Sequence, residues 1–203
     1  MVRRVNGKHW IHWFYGAWLA LLAASASAAP VLDEGLINRW LQSQGDLQAW
    51  AMEHREQLEP HESPDAWSDL QSTDNMLRSL KASGLYEEAG EILEPHGFKA
   101  PEEWADATIR IIKAYLANEL EGRDQEIETL RSEVAAMEQN AAIPEEQKAA
   151  VLQALRDNLA MVDLVRTAPQ ADRQAIQPHM EKIRQHLSAQ GAQAQPAPSG
   201  PQS

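Results

Sequence analysis

The chain reads PEEWADATIRIIKAYLANELEG at residues 101–122. Trp104, Thr108, Ile111, Ile112, Tyr115 and Leu116 recur there at intervals of three and four, the spacing of one helix face rather than of a strand. Pro101 suits the first helical position, where its missing N–H leaves no bond unmade. Glu102 and Glu103 complement the positive end of the helix dipole. Gly122 predicts a bend, beyond which Ile127, Leu130, Val134, Met137 and Ala141 continue the stripe to a stop near Asn140. On this reading the element beginning at Pro101 is the longest in the protein.

The same spacing extends in both directions. Upstream, Leu36, Ile37, Trp40 and Leu41 predict one short helix, and Leu47, Trp50, Ala51 and Leu58 a second that ends at Pro60. Ser63 and Pro64 then offer an N-cap and a first helical residue, with Asp65 in the first turn. Trp67, Leu70, Leu77 and Leu80 run to Gly84, and Leu85, Ala89, Ile92 and Leu93 close at Pro95 and Gly97. Downstream, Pro144 opens a helix whose Leu152, Leu155, Leu159 and Val162 match the stripe before it, predicting an antiparallel pair. Pro169 begins a last helix, kinked at Pro178, with Ile176, Met180, Ile183 and Leu187 on one side.

The expected fold class is therefore all-α. A small, acidic, aromatic-rich lobe of short helices spans 31–120, and a helical hairpin plus terminal helix spans 121–189. The final stretch, QGAQAQPAPSGPQS (190–203), has little to bury and reads as a disordered tail. In the region after the leader every aromatic residue falls before position 116, which predicts an aromatic core and an aliphatic hairpin.

One phrase occurs twice: LEPHESPDAW at 58–67 and LEPHGFKAPEEW at 93–104. Its plainest explanation is helix–turn–helix punctuation. Pro60 and Pro95 stop helices because a ring nitrogen cannot donate. His61 and His96 follow where free carbonyls favour a donor, and Pro64 and Pro101 start the next helices, with Trp67 and Trp104 three residues on. Residues 84–95, GLYEEAGEILEP, are similar to the second half of a tetratricopeptide unit. A solenoid requires three or more copies, however, and the third Pro-His, at 178–179, has no Pro-x-x-Trp after it. No residue role follows from that similarity.

The first 28 residues read as a secretory signal peptide. Arg3, Arg4 and Lys8 precede the apolar run WIHWFYGAWLALLAA, and Ala26 and Ala28 form the A-x-A pair before a cut after Ala28. A cut after Ala29 would meet Pro30. An uncleaved anchor is the alternative, but the run is shorter than the ~20 residues a span requires. Arg3-Arg4 leaves both general secretory and twin-arginine export open. The expected destination is the periplasm, with release from the cell as the other possibility. The chain has no Cys, so neither a disulfide nor a lipidated N-terminal cysteine contributes.

The precursor has 18 Lys+Arg and 30 Asp+Glu, and without the leader its net charge becomes −15. Residues 29–128 hold 22 acidic and 8 basic residues, and 129–203 hold 8 and 7. A field of that sign repels phosphate backbones and anionic lipid, so nucleic acid is not an expected partner, nor is a bilayer bound through charge; removal of the leader leaves no stable membrane span expected. Protein partners, and more weakly divalent cations, remain.

Catalytic patterns are missing from the sequence. It has no H-E-x-x-H, no calcium loop, no G-x-S-x-G and no phosphate-cradling glycine loop. His54 and His61, like His179 and His186, are seven apart, roughly 10 Å along a helix, too far to ligate one ion together. His61 and His96 with Glu59 or Glu94 form the one conceivable ligand set. The acidic run Glu119, Glu121, Asp124, Glu126 and Glu128 reads as a solvated helix face paired to Arg123 and Arg131. The four Trp residues beyond the leader read as core rather than as a ligand cage. The expectation is a non-catalytic, cofactor-free accessory protein of the cell envelope that binds another protein. The alternative is a stress chaperone or cation-sequestering protein that uses the acidic lobe.

Overall fold

The computed structural model describes residues 32–61, 68–140 and 144–194, with backbone alone for 145–147 and 190–194. The fold is all-α, and the described residues contain no strand. The expectations for Ala26, Ala28, Ala29, Ser63, Pro64, Asp65, Trp67, Ala141 and residues 195–203 lie outside the described residues.

Among the described residues ten α-helices follow in order: α1 (Glu34–Glu53), α2 (Arg55–Leu58), α3 (Thr73–Met76), α4 (Arg78–Ser83), α5 (Tyr86–Leu93), α6 (Pro101–Glu119), α7 (Asp124–Gln139), α8 (Glu145–Arg166), α9 (Gln170–Ile176) and α10 (Met180–Ala194). Helix α6 is the hub, meeting α1, α3, α5, α8 and α9. It starts with Pro101 after an extended Ala100 and carries Glu102 and Glu103 in its first turn. Ala105, Ala107, Ala114 and Ala117 are buried beside Ile111 and Tyr115. Small side chains let neighbouring backbones approach on several sides at once, and Ile111 and Tyr115 fill the spaces left.

Two expectations about helix length are corrected. The element from Pro101 does not bend at Gly122 and continue. It stops at Glu119, Gly122 adopts a left-handed φ of 79°, and α7 starts anew at Asp124. The longest helix among the described residues is instead α8, with 22 residues. Conversely, the two short helices expected between Leu36 and Leu58 are largely one. Helix α1 runs 20 residues straight through the polar QSQGD interval. Two of its buried polar groups find partners, Ser43 Oγ donating to Trp40 O at 2.8 Å and Gln44 Oε1 meeting His186 at 3.1 Å, while Gln44 Nε2 is buried without one. Asp33 caps the helix by accepting from Leu36 N at 2.7 Å.

The LEPH segments fold alike. Leu58 and Leu93 end α2 and α5, and Glu-Pro-His forms a three-residue 3₁₀ turn at 59–61 and again at 94–96. Gln177–His179 forms a third such turn around Pro178, which kinks the chain between α9 and α10. Proline's fixed φ fits a 3₁₀ turn, and its missing N–H ends the α-type ladder.

Helices α7 and α8 pair as the expected hairpin. Arg166 bonds Asp124, Arg131 Nη2 meets Asp163 at 2.5 Å, and Arg156 Nη2 meets Glu138 at 2.6 Å. Partners that descend on one helix as they ascend on the other define an antiparallel register. Lys148 closes the open end, reaching the carbonyls of Glu138 and Asn140, each at 3.4 Å. Ile127, Val134, Leu152 and Val162 form the buried seam.

The main core draws on both sides of residue 120. Leu32, Ile37, Trp40, Leu93, Phe98, Ile111 and Tyr115 share one buried cluster with Val165, Ala168, Ile176 and Ile183. Helix α10 continues to Ala194, past the predicted boundary at 189. Glu119 and Glu121 are also paired differently from the expected self-paired face. They face Arg184 of α10 at 3.5 Å and Arg173 of α9 at 3.3 Å, while Arg123 turns forward to Glu126 at 2.9 Å.

Candidate functional site

Helix α5 has two faces. Ala89 and Leu93 point inward and are buried, whereas Glu87, Glu91 and Glu94 form an exposed ridge at i, i+4 and i+7. Between this ridge and the 97–101 turn lies an open cleft of about 750 Å³, lined also by Tyr86, Gly90, Lys99 and Pro101. Gly97 shapes its far wall. Its φ of 79° favours glycine, and a Cβ there would stand 3.2 Å from Arg39. The same arginine donates to Gly97 O at 2.5 Å, lies 5.2 Å over the Phe98 ring and reaches Glu103 at 3.9 Å.

The other end of the cleft is likewise neutralised from within. Lys81 lies 5.9 Å over the Tyr86 ring and pairs with Asp74 at 3.2 Å and Glu102 at 3.6 Å. Tyr86 donates its hydroxyl proton to Glu102. That bond, reinforced by burial and by the Glu102 and Glu87 charges, raises the phenol to about 12. The same bond, together with Lys81, lowers the Glu102 carboxyl. Intrinsic cations thus serve the ends of the cleft. Among the described residues, Glu87, Glu91 and Glu94 in the middle have no ion pair or side-chain hydrogen bond.

A second concavity of about 200 Å³ lies behind α5, lined by Leu47, Trp50, Met76, Leu80, Leu93 and Trp104 among others. Trp50 Nε1 donates to Glu88 at 2.7 Å, and His54 stands 3.2 Å from the same carboxylate. The Trp104 indole N–H is buried without a partner.

The remaining polar chemistry is interior. Arg110 holds Asp172 through two bonds, 2.9 Å from Nε and 2.6 Å from Nη2, and Asp172 is only 2% exposed. The hydrogen bond to Asp172 raises the Arg110 guanidinium further. His186 faces Gln44 Oε1 at 3.1 Å and sets its ring edge-on to Trp40 at 5.8 Å. A carbonyl oxygen accepts, so His186 Nε2 carries the hydrogen in this arrangement, and burial pushes its pKa down. Trp40 Nε1 donates to Thr108 Oγ1 at 2.8 Å, while that hydroxyl donates to Trp104 O.

The residues singled out in the sequence disperse. Pro60 and His61 are exposed, and Pro95 is exposed beside His96. His96 Nε2 pairs with Asp46 at 2.8 Å, and Pro101 is buried at the cleft wall. Among the described residues, no group of three or more His, Asp or Glu is placed to hold a metal ion. Trp40 and Trp50 are core, and Trp104 is partly buried. Sequence reasoning missed the Glu87–Glu91–Glu94 ridge, although its signal was present in the two-residue offset of Glu87 and Glu91 from the buried Ala89 and Leu93. The pairs Gln44–His186 and Arg110–Asp172 left no such signal.

Fold and site together define an all-helical protein with an open, carboxylate-walled cleft beside its hub helix. No protein-family model matches the chain, and comparisons with curated proteins and with solved structures found no match either. Among the described residues, no helix is long and apolar enough to cross a membrane.

Proposed function

We propose that this is an exported, non-catalytic protein of the cell envelope, most consistent with a periplasmic location, that serves as an interaction or accessory protein for another protein. The observation that carries this reading is the α5 cleft. It is wide and open, it adjoins the hub helix, and its glutamates are left unpaired, while Arg39 and Lys81 beside it are committed to other carboxylates and Lys99 is the cation in its lining. A shallow charged cleft of this kind suits the docking of a macromolecular surface, which supplies many weak complementary contacts at once. The acidic field favours a basic partner surface and disfavours nucleic acid.

Crosslinking in intact cells followed by mass spectrometry tests the proposal. One partner captured at fixed stoichiometry is the expected result. A spread of unrelated unfolded proteins would replace it with the chaperone reading. Sequencing the N-terminus of the exported form tests the leader, with Ala29 expected as the first residue.

The second reading, cation sequestration, draws on the same unpaired carboxylates. Seven residues of helix separate Glu87 from Glu94, about 10 Å of rise, which spreads the carboxylates rather than converging them on one ion. A melting temperature that climbs with added Ca²⁺ or Mg²⁺ and returns with chelator would favour this second reading.

A further inference from the structure

We propose that the α5 cleft seats a basic helix of the partner protein, with Lys or Arg at i, i+4 and i+7 repeating the spacing of Glu87, Glu91 and Glu94. The inference rests on the protein-binding reading above and specifies the partner's chemistry. Three observations support it.

Charge comes first. Residues 46–106, from the second half of α1 through α5 to the first turns of α6, hold 15 Asp and Glu against 4 Lys and Arg, and Arg39, outside that range, is held at Gly97 and Glu103. Two of those four are spent at the ends of this region: Lys81 pairs with Asp74 and Glu102, and Arg55 lies 4.0 Å from Glu59. Arg78 bonds Asn75. Lys99 alone among these four lines the cleft. Three carboxylates on one helix face therefore repel one another, and a partner that brings cations relieves that repulsion.

Spacing comes second. A single ion requires carboxylates that converge, whereas Glu87, Glu91 and Glu94 follow the pitch of a helix. Cations one and two turns apart on a second helix repeat that pitch, so three pairs form together without distortion.

Shape comes third. Gly90 sits between the glutamates on the cleft floor, and a Cβ placed there would lie 3.7 Å from the Pro101 ring. The absent side chain leaves the cleft open at its midpoint. Tyr86 and Pro101 give an apolar strip along which Lys and Arg stems can lie while their heads reach the carboxylates.

The test uses the chain from residue 29 onward and a labelled helical peptide of about 14 residues with Lys at three positions of i, i+4, i+7 spacing. The same peptide with Glu at those positions serves as control. Fluorescence anisotropy at low ionic strength should show saturable binding of the Lys peptide, weakening with added salt, and none of the Glu peptide. The triple variant Glu87→Gln/Glu91→Gln/Glu94→Gln should keep its helical circular dichroism and weaken binding about tenfold, the scale set by three partly exposed charge pairs. Gly90→Leu, which fills the cleft without removing charge, should weaken it as well. Equal binding by the triple variant, or equal binding of the two peptides, overturns the inference.

In-cell crosslinking separates the two levels of the claim. Capture of the same partner by the triple variant at unchanged yield overturns the cleft as the docking site and leaves the protein-binding reading standing. Failure of the unaltered chain to capture any partner overturns both.

Discussion

Helices α6 and α7 show similar apolar spacing in sequence, yet seven residues of α6 are buried and only two of α7, Ile127 and Val134. The difference lies in their surroundings. Helix α6 is enclosed by α1, α3, α5, α8 and α9, while α7 packs chiefly against α8. A three-four stripe specifies that one face will be covered. How many other faces are covered depends on elements far away in the chain. Stability should therefore be concentrated around α6 and dilute in the hairpin, and the two regions should respond differently to equivalent changes.

The sharpest contrast lies in their ion pairs. Asp172→Ala removes the bidentate partner of the partly buried Arg110 guanidinium, leaving it Asp106 at 3.8 Å, and should cost about 3 kcal/mol. Asp163→Ala removes a pair of similar length on the hairpin, Arg131–Asp163, whose side chains are 37% and 56% exposed. It should cost under about 1 kcal/mol. Urea unfolding of both variants measures the ratio, and equal losses would erase the distinction between the two regions.

Apolar truncation should follow the same order. Ile111→Ala opens a cavity in a fully buried site and should destabilise by about 2–5 kcal/mol. Leu155→Ala, on the half-exposed seam of α8, should lose about 1 kcal/mol because less apolar area returns to water.

A pH series probes the core alone. Burial holds His186 below its ordinary pKa of 6.5, so the neutral form is favoured in the folded protein and the unfolded chain takes up the proton first. The contribution of this group is fully present above 6.5 and declines as pH falls toward the lower folded value. Melting temperatures of the unaltered chain should thus drop more steeply from pH 7 to 5.5 than those of His186→Gln, and parallel slopes would show that the ring carries no such linkage.

The smallest effect is expected at Gly90. Gly90→Ala places a Cβ in ordinary contact with Pro101 and restricts the unfolded backbone, which should raise stability by roughly 0.5–1 kcal/mol. A thermal melt decides the sign.

The three X-Pro-His turns show how far the sequence could be read. Pro60, Pro95 and Pro178 each impose a 3₁₀ turn, and proline geometry alone predicts a break in the α-helical ladder at all three. The fate of the histidine differs every time. His61 is exposed, His96 pairs with Asp46, and His179 is buried at 6% exposure with Nδ1 unpartnered. Nothing within a turn distinguishes them. The candidate cleft was half legible in the same sense. Its glutamate ridge follows from helix pitch, whereas the opposing wall depends on Arg39 reaching Gly97 across 58 residues.

The sequence by itself determined the helical class, the hairpin, the turns at proline and the acidic character, because each follows from backbone sterics, spacing or a count of charges. Tertiary structure alone decided that α1 would run unbroken past Gly45 and that Gln44 and Asp172 would be interior. Those outcomes require His186 and Arg110 to arrive from 142 and 62 residues away. Burying a polar side chain costs least when a partner is brought to it, and local propensity is blind to partners that distant.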